Sequence, residues 1–335
     1  MEERLSAAGG EILAEVRAGV ATVTLNRPSA LNALSLGMIE GLAGWLRDWA
    51  NYDGVRIVLL RGAGPKAFCA GGDIRSLHDS FKSGQDVFRF FETEYALDYR
   101  IHTYPKPVVA LLDGIVMGGG MGLAQGAKLR LVGERTRMAM PETAIGLFPD
   151  VGGSYFLSRL AGELGPYLGL IGPSMNAADA IYAGLADQYI GVAPMAPGEL
   201  EGLRGTIDRN FAHATLEEIV ASLESEKESP DWVQKTLAAI AKRSPTMLKV
   251  SLEQIRRGRT LSLAECFRME FELIHGAFEQ GDFIEGIRAL IVEKDNQPRW
   301  KAPTIAEASA ESVAKFFGPR WAPHEHPLSG LEAAK

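Results

Sequence analysis

Short apolar runs alternate with amphipathic helical patterns over the first 190 residues. The apolar runs have the length of buried strands and occupy residues 21–25, 55–60, 108–112 and 129–132. A helical stripe follows the first run and consists of Ile39, Leu42, Leu46 and Trp49. This alternation predicts a largely parallel α/β sheet, which the pattern alone would draw as doubly wound, with ligands at the carboxyl ends of the strands.

The pattern becomes helical after about residue 195. Residues 196–245 contain polar helical stretches between prolines, and the chain from Pro245 onward has helical periodicity. Ser262 and Glu265 have the spacing of a capping box. The chain after residue 300 shows no periodicity, so we expect a loosely packed tail. We predict three stretches, namely a core over residues 1–195, helices over 196–300 and a tail over 301–335.

Charge, cysteine content and apolar stretches exclude several classes of protein. With 35 Lys and Arg against 42 Asp and Glu, the net charge is −7, so no overall positive field attracts nucleic acid or an anionic membrane. The two cysteines, Cys69 and Cys266, are far apart and predict neither a disulfide framework nor a metal site, which favours a cytoplasmic location. The first ten residues lack the pattern of a secretory leader. The longest apolar stretch, residues 107–124, contains Asp113 and five glycines, which argues against a membrane span.

Several familiar motifs are incomplete or missing from the sequence. Residues 62–67 imitate the glycine fingerprint of a dinucleotide loop, but Pro65 and the residues after it do not open a helix. The sequence contains no P-loop, no nucleophile elbow of serine hydrolases and no zinc-protease motif. His324 and His326 lie in the tail, where we interpret them as solvated side chains and not as metal ligands.

Two glycine-rich turns each follow an apolar run, at residues 68–73 and 117–120. Each can present backbone N–H groups, and such groups form the oxyanion hole that stabilises a reacting thioester. The second turn opens a helix, whose positive end favours developing negative charge. The alternative is that the glycines merely permit tight turns and close packing, and both interpretations stay open for either turn taken alone.

Two carboxylates, Glu142 and Asp150, lie in an apolar segment with glycine and proline, residues 140–153. An apolar setting raises the pKa of a carboxyl and strengthens it as a base, and a second acid can orient water or hold a substrate hydroxyl. The structural alternative is that Glu142 complements a helix start and Asp150 caps the helix that runs to Leu160.

Taken together, these motifs resemble the crotonase (enoyl-CoA hydratase/isomerase) superfamily. The resemblance covers roughly residues 12–192 and continues more weakly through the last helices. The segments that carry it, in the usual order, are residues 21–33, 66–73, 106–110, 118–120 and 141–142. It implies an α/β fold with a spiral core of ββα turns in place of the doubly wound sheet, followed by a C-terminal helical region. Within the superfamily, residues 140–153, 244–249 and 282–300 are most similar to the branch that hydrolyses 3-hydroxyisobutyryl-CoA.

The resemblance implies roles for individual residues. Ala70 and Gly119 supply the two N–H groups of the oxyanion hole, Glu142 is the main catalytic carboxylate and Asp150 is its partner. Glu94 is a third acid, which contacts the substrate, although its position alone describes a solvated charge on a helix. The other residues expected to bind substrate are Gly71, Gly72, Asp73 and Gly118. No separate cofactor is expected, because coenzyme A is part of the substrate.

One departure from the superfamily decides between reactions. Hydratases carry a glutamate just after the triple glycine, where this chain has Gly122. Addition of water to a double bond needs carboxylates at two neighbouring carbons, whereas thioester hydrolysis needs an oxyanion hole and one activated water or attacking carboxylate. We therefore expect an acyl-CoA thioesterase that releases 3-hydroxyisobutyrate, as in valine catabolism. An enoyl-CoA hydratase or isomerase and a non-catalytic acyl-CoA-binding protein are the alternatives.

A second departure concerns the coenzyme A phosphates. Ser29 stands where many members of the superfamily carry a basic residue, so the phosphate contacts stay open. The basic candidates, each with the alternative of an ordinary surface charge, are Lys66, Arg75, Lys106 and Lys294. The superfamily commonly forms trimers and hexamers, and the resemblance extends that expectation of a homo-oligomer to this chain.

Overall fold

The computed structural model describes residues 3–333, so the first two residues of the chain start discussed above lie outside the described range. The residues form two compact units that interleave along the chain. The first comprises the chain up to Asp73, Arg89–Ala139 and Ser174–Glu199. The second comprises Ile74–Phe88, Met140–Pro173 and the chain from Leu200 onward. The division at residues 195 and 300 stays a prediction.

Strands and helices are distributed along the whole described range. The strands are β1 (Glu3–Ala7), β2 (Ile12–Arg17), β3 (Val20–Leu25), β4 (Ile57–Gly62), β5 (Ala67–Cys69), β6 (Val108–Leu112), β7 (Ile115–Met117), β8 (Leu129–Val132), β9 (Arg137–Ala139) and β10 (Gln188–Tyr189). The helices are α1 (Leu36–Trp49), α2 (Ile74–Lys82), α3 (Phe88–His102), α4 (Gly119–Gln125), α5 (Gly153–Leu157), α6 (Leu164–Ile171), α7 (Ala177–Tyr182), α8 (Leu200–Phe211), α9 (Leu216–Ser225), α10 (Pro230–Lys242), α11 (Pro245–Gly258), α12 (Leu263–Gln280), α13 (Asp282–Ile287) and α14 (Ala310–Ala314).

The strands belong to the first unit and form two sheets. The larger sheet has the order β1-β2-β3-β4-β6-β8-β10, and the smaller sheet has the order β5-β7-β9. From β3 to β10 every neighbouring pair in the larger sheet is parallel, whereas β1, β2 and β3 pair antiparallel. The predicted, largely parallel sheet is therefore confirmed. The doubly wound arrangement is wrong, because consecutive strands divide between two sheets.

The chain repeats the same ββ step three times before a helical segment. β4, β6 and β8 lie in the larger sheet, and each is followed by a strand of the smaller sheet, namely β5, β7 or β9. Gly114 makes the turn between β6 and β7 with φ +79°, and a Cβ atom there would lie 2.3 Å from the carbonyl oxygen of Lys66, so only glycine fits. Because β5, β7 and β9 are parallel, their carboxyl ends lie at one edge of the smaller sheet.

Helix α1 confirms the predicted amphipathic pattern in the first unit. The Ser35 hydroxyl caps its start by accepting a hydrogen bond from the N–H of Met38 at 3.3 Å. The predicted stripe is buried, and its members are Ile39, Leu42, Leu46 and Trp49. The apolar spacing in this segment therefore reports packing in the core.

The second unit is helical. Its helix α11 packs against α5 and α6, and α13 packs on the short 3₁₀ helix Glu142–Ile145. Ser262 and Glu265 form the predicted capping box at the start of α12. Thr215 and Glu218 form another at the start of α9. Within residues 3–333, the helices include none that is both long enough and apolar enough to cross a membrane.

The expectation of a loosely packed tail is wrong. Phe316 is buried, and a Cβ atom on Gly276 of α12 would lie 2.7 Å from its ring. Trp321 stacks on Phe271 of the same helix, with ring centroids 5.6 Å apart. His326 is buried and packs edge-on against Trp321, so it is not the solvated side chain that the tail position predicted. Large aromatic side chains hold the tail without any helical periodicity.

Candidate active-site residues

The two glycine-rich turns of the first unit lie against each other. The turn of residues 70–73 follows β5, and residues 118–120 follow β7. A Cβ atom on Gly71, whose φ is +108°, would lie 3.6 Å from the backbone nitrogen of Gly119. A Cβ atom on Gly120 would lie 2.4 Å from the carbonyl oxygen of Cys69. The glycines therefore permit a close approach of the backbones, and this approach brings the two predicted donor segments together.

The two predicted oxyanion donors differ in their present partners. The N–H of Ala70 donates to the carbonyl oxygen of Leu31 at 3.1 Å. Gly119 is the first residue of α4, where N–H groups have no acceptor inside the helix. A substrate oxygen would share the Ala70 hydrogen with Leu31, whereas the Gly119 N–H points out of a helix start. Both roles stay predictions.

Glu94 on α3 is buried, so the alternative of a solvated helix charge is wrong. The exposed fraction of this residue is 2%. A Cβ atom on Gly119 would lie 2.3 Å from its Oε1 atom and 3.1 Å from Cδ1 of Leu34. The carboxyl is therefore directed at the glycine turn after β7. This position agrees with a substrate-contacting acid next to the predicted oxyanion hole.

The remaining predicted residues of the first unit have structural partners. The Asp73 carboxylate forms an ion pair with Arg27 at 2.9 Å. Gly72 forms an isolated bridge with Leu34, and Gly118 is the N-cap of α4 with φ +50°. These contacts fix the two turns. The roles of Asp73, Gly72 and Gly118 as substrate contacts stay predictions.

Glu142 opens the 3₁₀ helix of the second unit. Its carbonyl oxygen accepts the N–H of Leu147 at 3.1 Å, and Thr143 beside it donates its hydroxyl to the carbonyl of Leu170 at 3.0 Å. The carboxyl is buried, and its Oε2 atom makes no hydrogen bond within the described part of the chain. Burial, and in second place the charge of Asp150, raise the pKa of this carboxyl well above its usual range. The ionised form of Glu142 is therefore a stronger base than an exposed carboxylate.

Asp150 is buried, and it is not the N-cap residue of the helix that follows it. Helix α5 begins at Gly153 and its N-cap is Gly152, and the Glu270 side chain accepts the N–H of Ser154 in its first turn. The N-cap position that the structural alternative assigned to Asp150 belongs to Gly152. The next residue, Val151, has φ +53°, so the backbone turns sharply directly after Asp150. Both acids belong to the second unit, and the charge of Asp150 raises the pKa of Glu142.

Glu270 is a buried acid of α12 that the sequence patterns above did not single out. Its carboxylate accepts the N–H of Gly152 at 2.7 Å and the N–H of Ser154 at 2.9 Å. Burial raises the pKa of Glu270 to about 8. The hydrogen bonds lower this pKa in part, and the charge of Asp150 raises it further. The signal was present: Glu270 lies one helical turn from Cys266 and Ile274, on the apolar face of its helix.

The basic candidates for the coenzyme A phosphates include one structural residue. The Nζ atom of Lys106 donates to three backbone carbonyls at 2.5 to 2.8 Å, that of Trp49 at the end of α1 and those of Tyr52 and Val55 after it. Lys106 therefore serves the fold of the first unit. In the second unit, Arg75 donates to the carbonyl oxygen of Ile291 at 2.5 Å.

A family model described as enoyl-CoA hydratase/isomerase matches residues 20–197 and 191–317. The chain belongs to the enoyl-CoA hydratase/isomerase family. Among curated relatives, it is 39% identical to a mitochondrial 3-hydroxyisobutyryl-CoA hydrolase from Gallus gallus, across 92% of this chain and 89% of the relative. It is 36% identical to 3-hydroxyisobutyryl-CoA hydrolase 1 from Arabidopsis thaliana, across 93% of this chain and 92% of that relative. The predicted family is confirmed.

Solved members of this family share the fold. A crystal structure of an enoyl-CoA hydratase from Rhodobacter sphaeroides is 38% identical with a TM-score of 0.88, and the match covers 92% of this chain and 98% of that chain. A carnitinyl-CoA dehydratase from Mycobacterium thermoresistibile is also 38% identical, with a TM-score of 0.87 and coverage of 92% and 96%. The predicted crotonase-like core with a C-terminal helical region is confirmed.

Proposed function

We propose that this member of the family hydrolyses 3-hydroxyisobutyryl-CoA to 3-hydroxyisobutyrate and coenzyme A. The observation that carries the proposal is the buried Glu142, which has a raised pKa and an Oε2 atom without a hydrogen bond within the described residues. Curated relatives from chicken and Arabidopsis, which align with nine-tenths of the chain, bear the name of that hydrolase. The substrate is therefore a short branched hydroxyacyl thioester.

In the proposed reaction, Glu142 takes a proton from water while the water oxygen bonds to the thioester carbonyl carbon. The N–H groups of Gly119 and Ala70 stabilise the negative charge on the carbonyl oxygen. Collapse of this intermediate breaks the C–S bond, and the proton passes to the leaving sulfur. In the alternative step, the Glu142 carboxylate attacks the carbonyl and forms a mixed anhydride, which water then hydrolyses.

Asp150 and Glu94 assist in this proposal. Asp150 holds the 3-hydroxyl of the substrate or passes a proton, and its charge strengthens Glu142 as a base. Glu94, directed at the turn of Gly119, contacts the acyl part of the substrate. Coenzyme A enters as part of the substrate. A homo-oligomer and a cytoplasmic location stay proposals.

The competing reaction is hydration of an enoyl-CoA, the activity for which the solved relative from Rhodobacter sphaeroides is named. Gly122 of α4 disfavours this reaction in the present chain, because a hydrogen atom replaces the second carboxylate that water addition needs.

The test measures two reactions with one enzyme preparation. Thiol release is followed with 3-hydroxyisobutyryl-CoA, and loss of the conjugated double bond is followed with crotonyl-CoA. Fast thiol release with little hydration supports the proposed function. Fast hydration with slow thiol release contradicts it and favours the hydratase. Tight binding of both thioesters without turnover identifies a non-catalytic acyl-CoA-binding protein.

A further inference from the structure

The backbone around Asp150 adopts a conformation that needs external support. Val151 has φ +53° and Gly152 has φ +87°. Glycine adopts a left-handed conformation readily, but a β-branched residue there costs about 1–3 kcal/mol. Val151 is also buried, so solvent does not support the turn. Neighbouring groups of the second unit must therefore hold the segment of residues 149–154, which we call the Asp150 turn.

Two buried polar side chains hold the Asp150 turn, one on each side of Asp150. Before it, the side-chain amide of Gln254 donates to the carbonyl oxygen of Pro149 at 2.5 Å. After it, the two oxygens of Glu270 accept the N–H groups of Gly152 at 2.7 Å and Ser154 at 2.9 Å. The Ser154 hydroxyl also donates to the Glu270 carboxylate. The supports come from α11 and α12, which are both long helices.

A carboxyl is an unfavourable group with which to anchor a buried turn. Glu270 has no exposed surface and lies on the apolar face of α12, where Phe267 and Phe271 are its neighbours in sequence and are buried as well. Burial is the largest influence on its pKa, and the hydrogen bonds from the turn offset it only in part. Its two oxygens nevertheless accept two backbone N–H groups, one oxygen for each donor. A glutamine side chain at this position has only one acceptor oxygen. The buried carboxyl therefore costs folding free energy, while its hydrogen bonds fix the conformation of the Asp150 turn.

We propose that Glu270 is a positioning residue that fixes the Asp150 turn and thereby holds Asp150 beside Glu142. This inference rests on the proposed function, because Glu270 is expected to affect turnover only by positioning Asp150. Glu270 itself contacts the backbone of residues 152 and 154 and the Ser154 hydroxyl. A displacement of a catalytic group by about 1 Å lowers a rate by up to about 100-fold.

The test combines Glu270→Gln with Asp150→Asn. The glutamine nitrogen faces one of the two N–H donors, so one hydrogen bond to the turn is lost while the volume stays. We expect Glu270→Gln to lower kcat for thiol release about 10- to 100-fold with little change in KM. In the Asp150→Asn background, the same substitution should change kcat less than about twofold, since the residue that it positions no longer acts. Glu272→Gln is the matched control.

The control removes another carboxylate of α12. Glu272 is half-buried and accepts the N–H of Arg320 at 3.1 Å, away from the Asp150 turn. Glu272→Gln should leave kcat unchanged. If Glu270→Gln does not fold, Ser154→Ala replaces it, because this variant removes the hydroxyl contact to Glu270 and keeps both backbone N–H groups of the turn. It should lower kcat in the wild-type background and leave kcat unchanged in Asp150→Asn.

The outcomes separate the two hypotheses. An impaired Asp150→Asn enzyme together with full activity of Glu270→Gln overturns the positioning role alone. The same holds if Glu270→Gln lowers kcat equally in both backgrounds, because Glu270 would then act independently of Asp150. Full activity of Asp150→Asn overturns the role of Asp150 in the proposed function, and the role of Glu270 falls with it.

Discussion

The negative charge of Asp150 raises the pKa of the Glu142 carboxyl beyond the effect of burial. One acid therefore tunes the proton affinity of the other. A carboxylate with a raised pKa is a stronger base, but a larger share of it is protonated at a given pH. The activity of the enzyme should therefore depend on pH through the pair and not through either acid alone.

Asp150→Asn should shift the acid limb of the kcat/KM profile to lower pH. Removal of the like charge lowers the pKa of Glu142, so the base becomes ionised at lower pH. The maximal rate should fall at the same time, because Asp150 no longer assists. Thiol release measured across pH checks both effects. A limb that does not move would mean that Glu142 is not the group that titrates.

Glu142→Gln should lower turnover about 10²- to 10⁴-fold, because the amide cannot accept a proton from water. The fold should survive, since glutamine has nearly the same volume. Thiol release and circular dichroism check the two statements. Turnover close to that of the wild type would remove Glu142 from the mechanism.

Glu142→Gln should also stabilise the protein at neutral pH. The folded-state pKa of Glu142 is raised above the ordinary value of 4.5, so the native state binds more protons than the unfolded state and loses stability as pH rises above about 4.5. The variant escapes this loss, and its melting temperature should exceed that of the wild type at pH 7 by about 2 °C or more. The difference should vanish below about pH 4, where the carboxyl is protonated in both states. An equal difference at both pH values would contradict the burial of an ionisable group.

Gly119→Ala should abolish most of the thiol release and lower the melting temperature. The new Cβ atom would lie 2.3 Å from Oε1 of Glu94, so the carboxyl or the start of α4 must move. Gly202→Ala is the matched control, because Gly202 is also helical, in α8, and has open space where the Cβ atom would go. The control should keep full activity and equal or higher stability, since alanine favours helix by up to about 1 kcal/mol. Equal activity of both variants would exclude the Gly119 turn from the site.

Lys106→Met should destabilise the protein by about 2 kcal/mol and leave the KM for the acyl-CoA unchanged. The Nζ atom of Lys106 donates to three carbonyls at and after the end of α1, and these hydrogen bonds are lost in the variant. Chemical denaturation measures the stability, and thiol release at several substrate concentrations measures KM. A strongly raised KM would show that Lys106 also binds a coenzyme A phosphate.

The sequence predicted four of the longer strands, β3, β4, β6 and β8, and missed β1 and β2. β6 and β8 have the predicted bounds, because apolar runs of this length end at polar or glycine residues. The strands of the smaller sheet have three residues each, which is too short for any periodicity, and the resemblance alone implied their place in a spiral. The capping box of Ser262 and Glu265 was correct, because it depends only on neighbouring residues.

The candidate site was predictable where motifs carry it and unpredictable where tertiary contacts do. Glu142 and Asp150 stand out in an apolar segment. Glu94 has the sequence context of a solvated helix charge, and only its packing against the turn of Gly119 shows otherwise. The partners of Glu270 lie 116 and 118 residues away along the chain, so no local pattern connects them.

The strands alternate between two sheets, and the predicted catalytic residues follow the strands of only one of them. Three short segments follow directly on β5, β7 and β9, and they contain the predicted donors and Glu142, whereas the larger sheet contributes none of these residues. Substitutions in those segments can therefore alter the reaction without disturbing the register of the seven-stranded sheet. Such a scaffold can vary its chemistry through residues such as Gly122 of α4, two positions after the triple glycine, while the strands that position these segments stay the same.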